Sequence, residues 1–364
     1  MDGSAHGETS KAHGCAMSGD GHTLSWHLVR WLLLALSVQG ASQTAHADAP
    51  RLGPFELPQP QELAVPTGDE HFSPFEALNG SFSSPEHCAQ VPNGLWIEHE
   101  GRGDCIRYYP HGLAEGGNRS VLIYFAGDVM LRNTRGVRFI TGSYIERSPA
   151  SIASDMAEWS TLAGRPTIYI ARPGIYGSSG DHNMRRHPRE IALMNRAVDM
   201  IKERYNVSSF ILSGHSAGAQ IVAGLLNRRT DISAAVMSSG LVSVKQVSSF
   251  WERRRSLPGR LLYDSRNFYD PVDEIDRIAT DPKPQIYVIS DPEDRVVPFF
   301  SQLYYVRRLR SAGFDPQHVY AQAADPRRHL LALNGRLAAA LLAQGRSTNE
   351  IRRALTDFEL DQRE

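Results

Sequence analysis

Residues 209–226 read SFILSGHSAGAQIVAGLL, and this stretch decides the fold. Its first five residues form a short, largely apolar run that is typical of a buried parallel strand. Its last eight residues carry apolar side chains at helical spacing. Between them lies the G-x-S-x-G motif of residues 214–218. Such a turn needs small residues two positions before and two after the serine, and it lifts the hydroxyl clear of the sheet. The motif therefore predicts that Ser216 is a catalytic nucleophile, rather than a surface serine in a glycine-rich turn.

A serine nucleophile needs a base, and the base needs an acid that orients it. Two later predicted strands are followed by candidates for these roles. Asp294 comes after the strand 285–290, in the run Asp-Pro-Glu-Asp-Arg-Val-Val-Pro. His329 comes after the strand 318–323 and directly before a helical run. The sequence thus predicts a triad of Ser216, Asp294 and His329.

This arrangement resembles the α/β-hydrolases. The resemblance covers about residues 90–345 and rests on the serine motif, on the D-x-x-V-P pattern that begins at Asp294, and on the histidine after the last strand. It implies an α/β fold with a mostly parallel central sheet flanked by helices and the chain order Ser, Asp, His. It also implies a small cap, because residues 241–283 are inserted between the sixth and seventh predicted strands, where similar enzymes cover the active site.

The acid has two competitors on its own loop, Asp291 and Glu293. Asp291 stands where the strand ends and is followed directly by Pro292. Both carboxylates are therefore expected to cap or line the turn, and Asp294 has the better register with the family pattern.

The base also has competitors among the chain's 14 histidines. His318 opens a strand and His215 adjoins the nucleophile, so both are expected to be structural. His182 and His187 follow a strand that precedes the serine, so either of them would break the family order.

The resemblance further indicates where a substrate oxyanion would bind. One donor is the backbone N–H of Ala217, at the start of the helix after the nucleophile. The second is expected from the loop after the predicted third strand, 121–125. Many relatives carry His-Gly there, whereas this chain has Ala126, Gly127 and Asp128. The N–H of Asp128 or of Gly127 is the candidate donor, and the Asp128 carboxylate either faces the pocket or caps the next turn.

Composition and charge suit one large α/β domain. The chain has 364 residues, of which 41% are hydrophobic and 22% charged, enough for a sizeable core. Its formal net charge of −1 gives no basic field that would attract nucleic acid or an acidic membrane surface. The sequence shows no metal-ligand cluster, P-loop or dinucleotide fingerprint, so we expect neither a metal nor another cofactor.

The first 47 residues have the features of an export signal. The apolar run 31–38 is too short to span a bilayer, Arg30 precedes it, and residues 45–47 give the small-x-small pattern of a cleavage site. Translation from Met17 and an uncleaved anchor are the alternatives. No cysteine stands where a lipid would be attached. We expect a periplasmic or secreted protein with no stable membrane anchor after processing.

Cysteine usage agrees with export. Of the three cysteines, Cys15 would leave with the signal peptide, so the mature chain would keep Cys88 and Cys105. An even pair in an exported protein predicts a disulfide, worth about 3 kcal/mol for a loop of this length. Two free buried thiols are the alternative.

Three segments follow from these patterns: a signal peptide at 1–47, an extended proline-spaced arm at 48–75, and the hydrolase domain at 76–364. Residues 130–148 are expected to form a long loop. The function expected is hydrolysis of a small-molecule carboxylic ester through an acyl-enzyme. A peptidase or amidase on the same fold and a catalytically silent binding protein are the alternatives.

Overall fold

The structure, a computed structural model, describes residues 50–254 and 265–361. The predicted signal peptide and residues 255–264 of the predicted cap lie outside these ranges. All of the described residues belong to one compact unit. Within the described ranges, no helix combines the length and the apolar character that crossing a membrane requires.

A central sheet organises the described chain. The strands are β1 (Arg51–Leu52), β2 (Gln61–Glu62), β3 (Ser81–Phe82), β4 (Gly94–His99), β5 (Arg102–His111), β6 (Asn118–Phe125), β7 (Met130–Arg132), β8 (Arg138–Ile140), β9 (Thr167–Ile170), β10 (Val207–His215), β11 (Ile232–Ser238), β12 (Gln285–Ser290) and β13 (Gln317–Tyr320). Eight of them form the sheet in the order β4-β5-β9-β6-β10-β11-β12-β13. Its neighbours pair in parallel, except that β5 is antiparallel to both β4 and β9.

Helices cover both faces of this sheet. They are α1 (Pro74–Asn79), α2 (Pro85–Cys88), α3 (Gly142–Ile145), α4 (Pro149–Ala163), α5 (Pro188–Tyr205), α6 (Ala217–Leu226), α7 (Val244–Arg254), α8 (Phe299–Ser311), α9 (Ala332–Ala343) and α10 (Thr348–Asp361). Short 3₁₀ turns lie at His182–Met184, Ser265–Asn267 and Pro271–Arg277.

Successive side chains along β6 alternate between two apolar cores, one on each face of the sheet. Val121, Ile123 and Phe125 lie in one apolar cluster with residues of α5, α6 and α8, whereas Leu122 and Tyr124 lie in another with residues of α4, α9 and α10. A strand that buries both of its faces is expected in a parallel sheet covered by helices on each side. The α/β fold class predicted from the sequence is confirmed.

Residues 130–148 differ from the expected loop. They contain β7 and β8, which pair antiparallel with Met130 opposite Ile140, and the short helix α3. The proline-spaced arm adds β1 to the outer edge of β8. A second piece of the arm, β2, pairs in parallel with β3. The arm therefore contributes two short strands to the packed structure.

A disulfide joins Cys88, at the end of α2, to Cys105 in β5. The Cα atoms of the two residues lie 5.4 Å apart, and both side chains are buried. They belong to a small apolar cluster with Leu63 and Val91. The bond thus ties the segment before the sheet to its second strand.

Reduction of this bond should destabilise the protein. Opening a loop of this length should lower the free energy of unfolding by about 3 kcal/mol, because the unfolded chain regains conformational freedom. Urea unfolding with and without reductant measures the loss, and the double variant C88S/C105S should be insensitive to reductant. Two free thiols in protein recovered from its native compartment would contradict the pairing, and mass spectrometry after alkylation would reveal them.

Candidate active site

Ser216 stands on the turn between β10 and α6. Its φ angle is 54°, in a region that residues other than glycine seldom occupy. A Cβ added to Gly214 would lie 2.4 Å from the carbonyl oxygen of Gly218, and one added to Gly218 would lie 2.0 Å from that of Phe125. Neither distance is tolerable, so the turn requires glycine at both positions. The side chain of Ser216 remains partly exposed beyond the end of the strand.

His329 lies between Ser216 and Asp294. Its Nε2 is 3.0 Å from the Ser216 Oγ, and its Nδ1 is 2.8 Å from the Asp294 Oδ2. The Asp294 side chain is fully buried, and His329 is 5% exposed. The three residues follow β10, β12 and β13, whose carboxyl ends meet at one edge of the parallel sheet. The structure therefore brings together the three residues that the sequence singled out.

The surroundings of Asp294 determine how the imidazole is oriented. Its Oδ1 accepts hydrogen bonds from the backbone N–H groups of Val296 and Val297, at 2.8 and 2.9 Å. The carboxylate is thereby fixed with Oδ2 directed at Nδ1 of His329. Because a carboxylate accepts, Nδ1 carries the proton and Nε2 is left to accept from the Ser216 hydroxyl. This is the tautomer that a general base for serine needs.

Asp291, the competing candidate for the acid, supports the loop that carries His329. Its Oδ2 accepts from the Ala323 N–H at 2.9 Å and from the Arg328 Nε at 2.6 Å. Its Oδ1 accepts from the N–H of Glu293 at 2.8 Å, as expected of a residue that caps the turn. Arg328 directly precedes His329 and has a φ of 55°. Asp291 therefore holds the strained backbone next to His329, and none of its hydrogen bonds goes to the imidazole.

Asp325 is a supporting residue that sequence reasoning missed. Its Oδ1 accepts from the backbone N–H groups of His329 and Leu330, each at 2.7 Å. Burial raises the pKa of Asp325, but these donors and the Arg327 N–H bring it below the usual value. The signal was present in the run Asp325-Pro-Arg-Arg-His329, because aspartates often bond the backbone that follows them in a turn.

The four competing histidines have other partners among the described residues. The Nε2 of His215 donates to the backbone carbonyl of His329 at 3.0 Å, and burial lowers the pKa of His215 to about 3. His318 bonds the Ser290 hydroxyl at 3.1 Å, and burial lowers its pKa to about 4. His182 is buried against the carbonyl of Pro173, and His187 packs edge-on against Phe268.

Acid should destabilise the fold because His215 and His318 are held neutral. Their unfolded pKa is about 6.5, above the folded values of about 3 and about 4. As the pH falls below about 6.5, the unfolded chain binds more protons than the folded one, so the free energy of unfolding decreases. Urea unfolding at about pH 7 and about pH 4.5 measures this change. The variant H318Q should lose part of the dependence, and an unchanged dependence would contradict the assignment.

The loop after β6 lies directly against Ser216. A Cβ added to Gly127 would be 3.1 Å from the Cβ of Ser216. Among the residues that the structure describes, none of the backbone N–H groups of Gly127, Asp128 and Ala217 has a protein acceptor. Ala217 is the first residue of α6, where the helix leaves its N–H groups open. These groups are available to a substrate oxygen, and the choice between Gly127 and Asp128 stays a prediction.

The Asp128 carboxylate is bound by three arginines. The Arg172 Nη1 is 3.0 Å from its Oδ1, the Arg185 Nε is 3.1 Å from its Oδ2, and Arg186 also contacts Oδ2. Burial raises the pKa of Asp128, but the charges of Arg186, Arg185 and Arg172 hold it well below its usual value. The sequence left two roles open for this carboxylate, facing the pocket or capping a turn, and the structure shows a buried ion cluster.

Apolar side chains of the inserted segment pack beside the site. Val244 and Val247 of α7 and the nearby Phe268 form a cluster with Ala217 and Val297. Leu261, Leu262 and Tyr263 of the insertion lie in residues 255–264, outside the described ranges. In the ranges that are described, no three His, Cys, Asp or Glu residues are grouped so as to hold a metal ion.

No family model and no curated protein matches the chain. Similar solved structures include an acylaminoacyl peptidase of Pyrococcus horikoshii, at 13% identity and a TM-score of 0.45, over 70% of this chain and 41% of the peptidase. The esterase Pf2001 of Pyrococcus furiosus has 11% identity and a TM-score of 0.49, over 78% and 97%. Est1E of Butyrivibrio proteoclasticus, with ferulic acid bound, has 12% identity and a TM-score of 0.48, over 73% and 99%.

This chain therefore spans about two fifths of the peptidase and nearly all of each esterase. At these identities and scores the likeness carries no inference about activity. The fold follows from the chain's own sheet, which has a single antiparallel strand, β5, and a sharp turn that carries Ser216 after β10, its fifth strand in chain order. With helices on both faces and the Ser, Asp, His order met, the chain has the α/β-hydrolase fold.

Proposed function

We propose that the protein is a serine hydrolase that cleaves carboxylic esters. The observation that carries the proposal is the position of His329, hydrogen-bonded to Ser216 on one side and to buried Asp294 on the other. Ser216 attacks the substrate carbonyl while the Nε2 of His329 takes its proton and returns it to the leaving group. Asp294 stabilises the imidazolium, and water then releases the acyl group.

The open N–H groups beside Ser216 would hold the oxyanion. Ala217 supplies one donor, and Asp128 or Gly127 supplies the other. Each donor is worth about 3 kcal/mol in the transition state, because it is fixed before charge develops. None of these steps calls for a cofactor, and the reaction needs only substrate and water.

The same triad serves esters and amides, and we place esters first because an alkoxide leaves a tetrahedral intermediate more readily than an amine does. The apolar cluster around Val244, Val247 and Phe268 would suit an uncharged acyl or aryl group. A panel of p-nitrophenyl esters of rising chain length, run beside aminoacyl-arylamides, tests the assignment. Higher kcat/KM on the esters supports it, whereas turnover confined to the arylamides would favour the peptidase.

We also propose that the protein is exported and that cleavage follows Ala47. The disulfide between Cys88 and Cys105 supports an oxidising compartment. Amino-terminal sequencing of the mature protein from its native host should begin at Asp48. A mature protein that still carries residues 31–38 would contradict this proposal. It would leave the hydrolase proposal unchanged.

A further inference from the structure

The loop that would supply the second oxyanion donor is held at Asp128 by three arginines, and one of them, Arg172, also contacts its other end at Ala126. Arg172, at the end of β9, is 1% exposed. Its Nη1 lies 3.0 Å from the Asp128 Oδ1 and 3.4 Å from the carbonyl oxygen of Ala126. These two contacts fall on either side of Gly127, where an added Cβ would lie only 3.1 Å from the Cβ of Ser216. A single side chain therefore holds both ends of the three-residue loop.

Arg172 is itself held from the other side. Its Nε donates to the Glu190 Oε1 at 2.8 Å, and the Glu190 side chain is 4% exposed. The other oxygen of Glu190 accepts from the Arg186 N–H at 2.6 Å, just before α5. Burial acts to lower the pKa of Arg172, but Glu190 and Asp128 raise it well above the usual value, so the group stays charged. Arg172 is thus anchored to helix α5, through Glu190, and not only to the loop at 126–128.

A buried ion pair is weak evidence for stability, because desolvation offsets most of the attraction between its charges. Its position here points to another role. Oxyanion donors are effective when they are already in place before the negative charge develops. A loop whose central residue is glycine can adopt several conformations, so something must select the one in which its N–H groups face the carbonyl oxygen.

We propose that Arg172 is a positioning residue for catalysis: by binding Asp128 and Ala126 it fixes the backbone N–H groups of loop 126–128 where the oxyanion forms. This inference rests on the proposed hydrolase function. Arg172 does not contact the substrate in this proposal. It acts on the loop through its ion pair with the Asp128 side chain.

The variant R172Q should lower kcat by about 10²- to 10³-fold, the loss expected when one oxyanion donor is misplaced. KM should change little, because the missing interaction is made in the transition state. A phenylboronic acid forms a tetrahedral adduct with a serine and so imitates that state. Its inhibition constant should rise in R172Q by a factor similar to the loss in kcat.

Arg229 provides a matched control. Its side chain is 6% exposed and pairs with Asp199 and Asp231, but it stands before β11, at the edge of the sheet opposite Ser216. The variant R229Q should therefore lose thermal stability as R172Q does, while kcat and the boronate inhibition constant stay at wild-type values. An equal fall of kcat in both variants would mean that the effect of Arg172 is general destabilisation.

The variant D128N keeps the backbone N–H and a hydrogen-bond acceptor but removes the charge that Arg172 grips. It should show the same pattern to a smaller degree, and it carries the test if R172Q does not fold. A folded R172Q or D128N with wild-type kcat and boronate inhibition overturns the inference. Wild-type esterase activity is measured in the same series. If the proposed function is wrong, the wild type is inactive; if only the positioning role of Arg172 is wrong, the wild type is active and the variants match it.

Discussion

The variants S216A and H329A should each lower kcat by about 10⁴- to 10⁶-fold, and the double variant should be little worse than either alone. The two residues act as one unit: without the hydroxyl there is no nucleophile, and without the imidazole nothing takes its proton. The hydrogen bond of 3.0 Å between them is the structural reason for this non-additivity. Steady-state hydrolysis of a p-nitrophenyl ester by the three variants measures it.

Ser209 offers a control on the same strand. Its hydroxyl donates to the carbonyl oxygen of Arg119 and lies at the opposite end of β10 from the turn. The variant S209A should keep wild-type kcat. Full activity in S216A, with an unchanged circular dichroism spectrum, would remove the proposed mechanism altogether. Additive losses in the double variant would mean that the serine and the histidine act independently.

The variant D294N should lower kcat by about 10⁴-fold. Its amide nitrogen would face Nδ1 of His329 and favour the tautomer with the proton on Nε2, which cannot accept from serine. The variant D291N changes a carboxylate on the same loop but should affect kcat only modestly. Its main effect should be on stability, because asparagine keeps only one acceptor oxygen, so either the Glu293 N–H or the Ala323 N–H would lose its acceptor.

These two aspartate variants form a direct comparison, since both side chains are fully buried on one loop. Ester hydrolysis and urea unfolding should separate them, with D294N losing activity and D291N losing stability. If D291N abolished turnover and D294N spared it, in folded protein, Asp291 would be the acid and the register derived from the D-x-x-V-P pattern would be wrong.

Sequence reasoning located the central strands well because they carry continuous apolar runs between turn residues. The predicted strand 285–290 has the same bounds as β12. The predicted strand before Ser216 lies within β10, which is longer at both ends. It failed on residues 130–148, where β7 and β8 are three residues each and pair with one another, and where β8 also pairs with β1 from the distant arm. Strands this short have no periodicity of their own, and their pairing depends on contacts that are remote in the chain.

The candidate triad could be predicted because the family order restricts each residue to the end of a particular strand. The supporting groups could not. Asp128, Arg172 and Glu190 lie on three separate segments, and only the folded sheet brings their charges together. The role of Asp325 depends on two backbone N–H groups of the turn at His329. Only the folded turn directs these groups at the Asp325 carboxylate.

The central claim is that Ser216 is an activated nucleophile. Reaction of the native protein with a fluorophosphonate, followed by peptide mass spectrometry, tests it without any assumption about the substrate. We predict one modified residue, Ser216, and loss of the reaction in H329A and in heat-unfolded protein, because only the assembled triad activates the hydroxyl. A folded wild-type protein that stays unlabelled at Ser216, or that labels equally well in H329A, would contradict it.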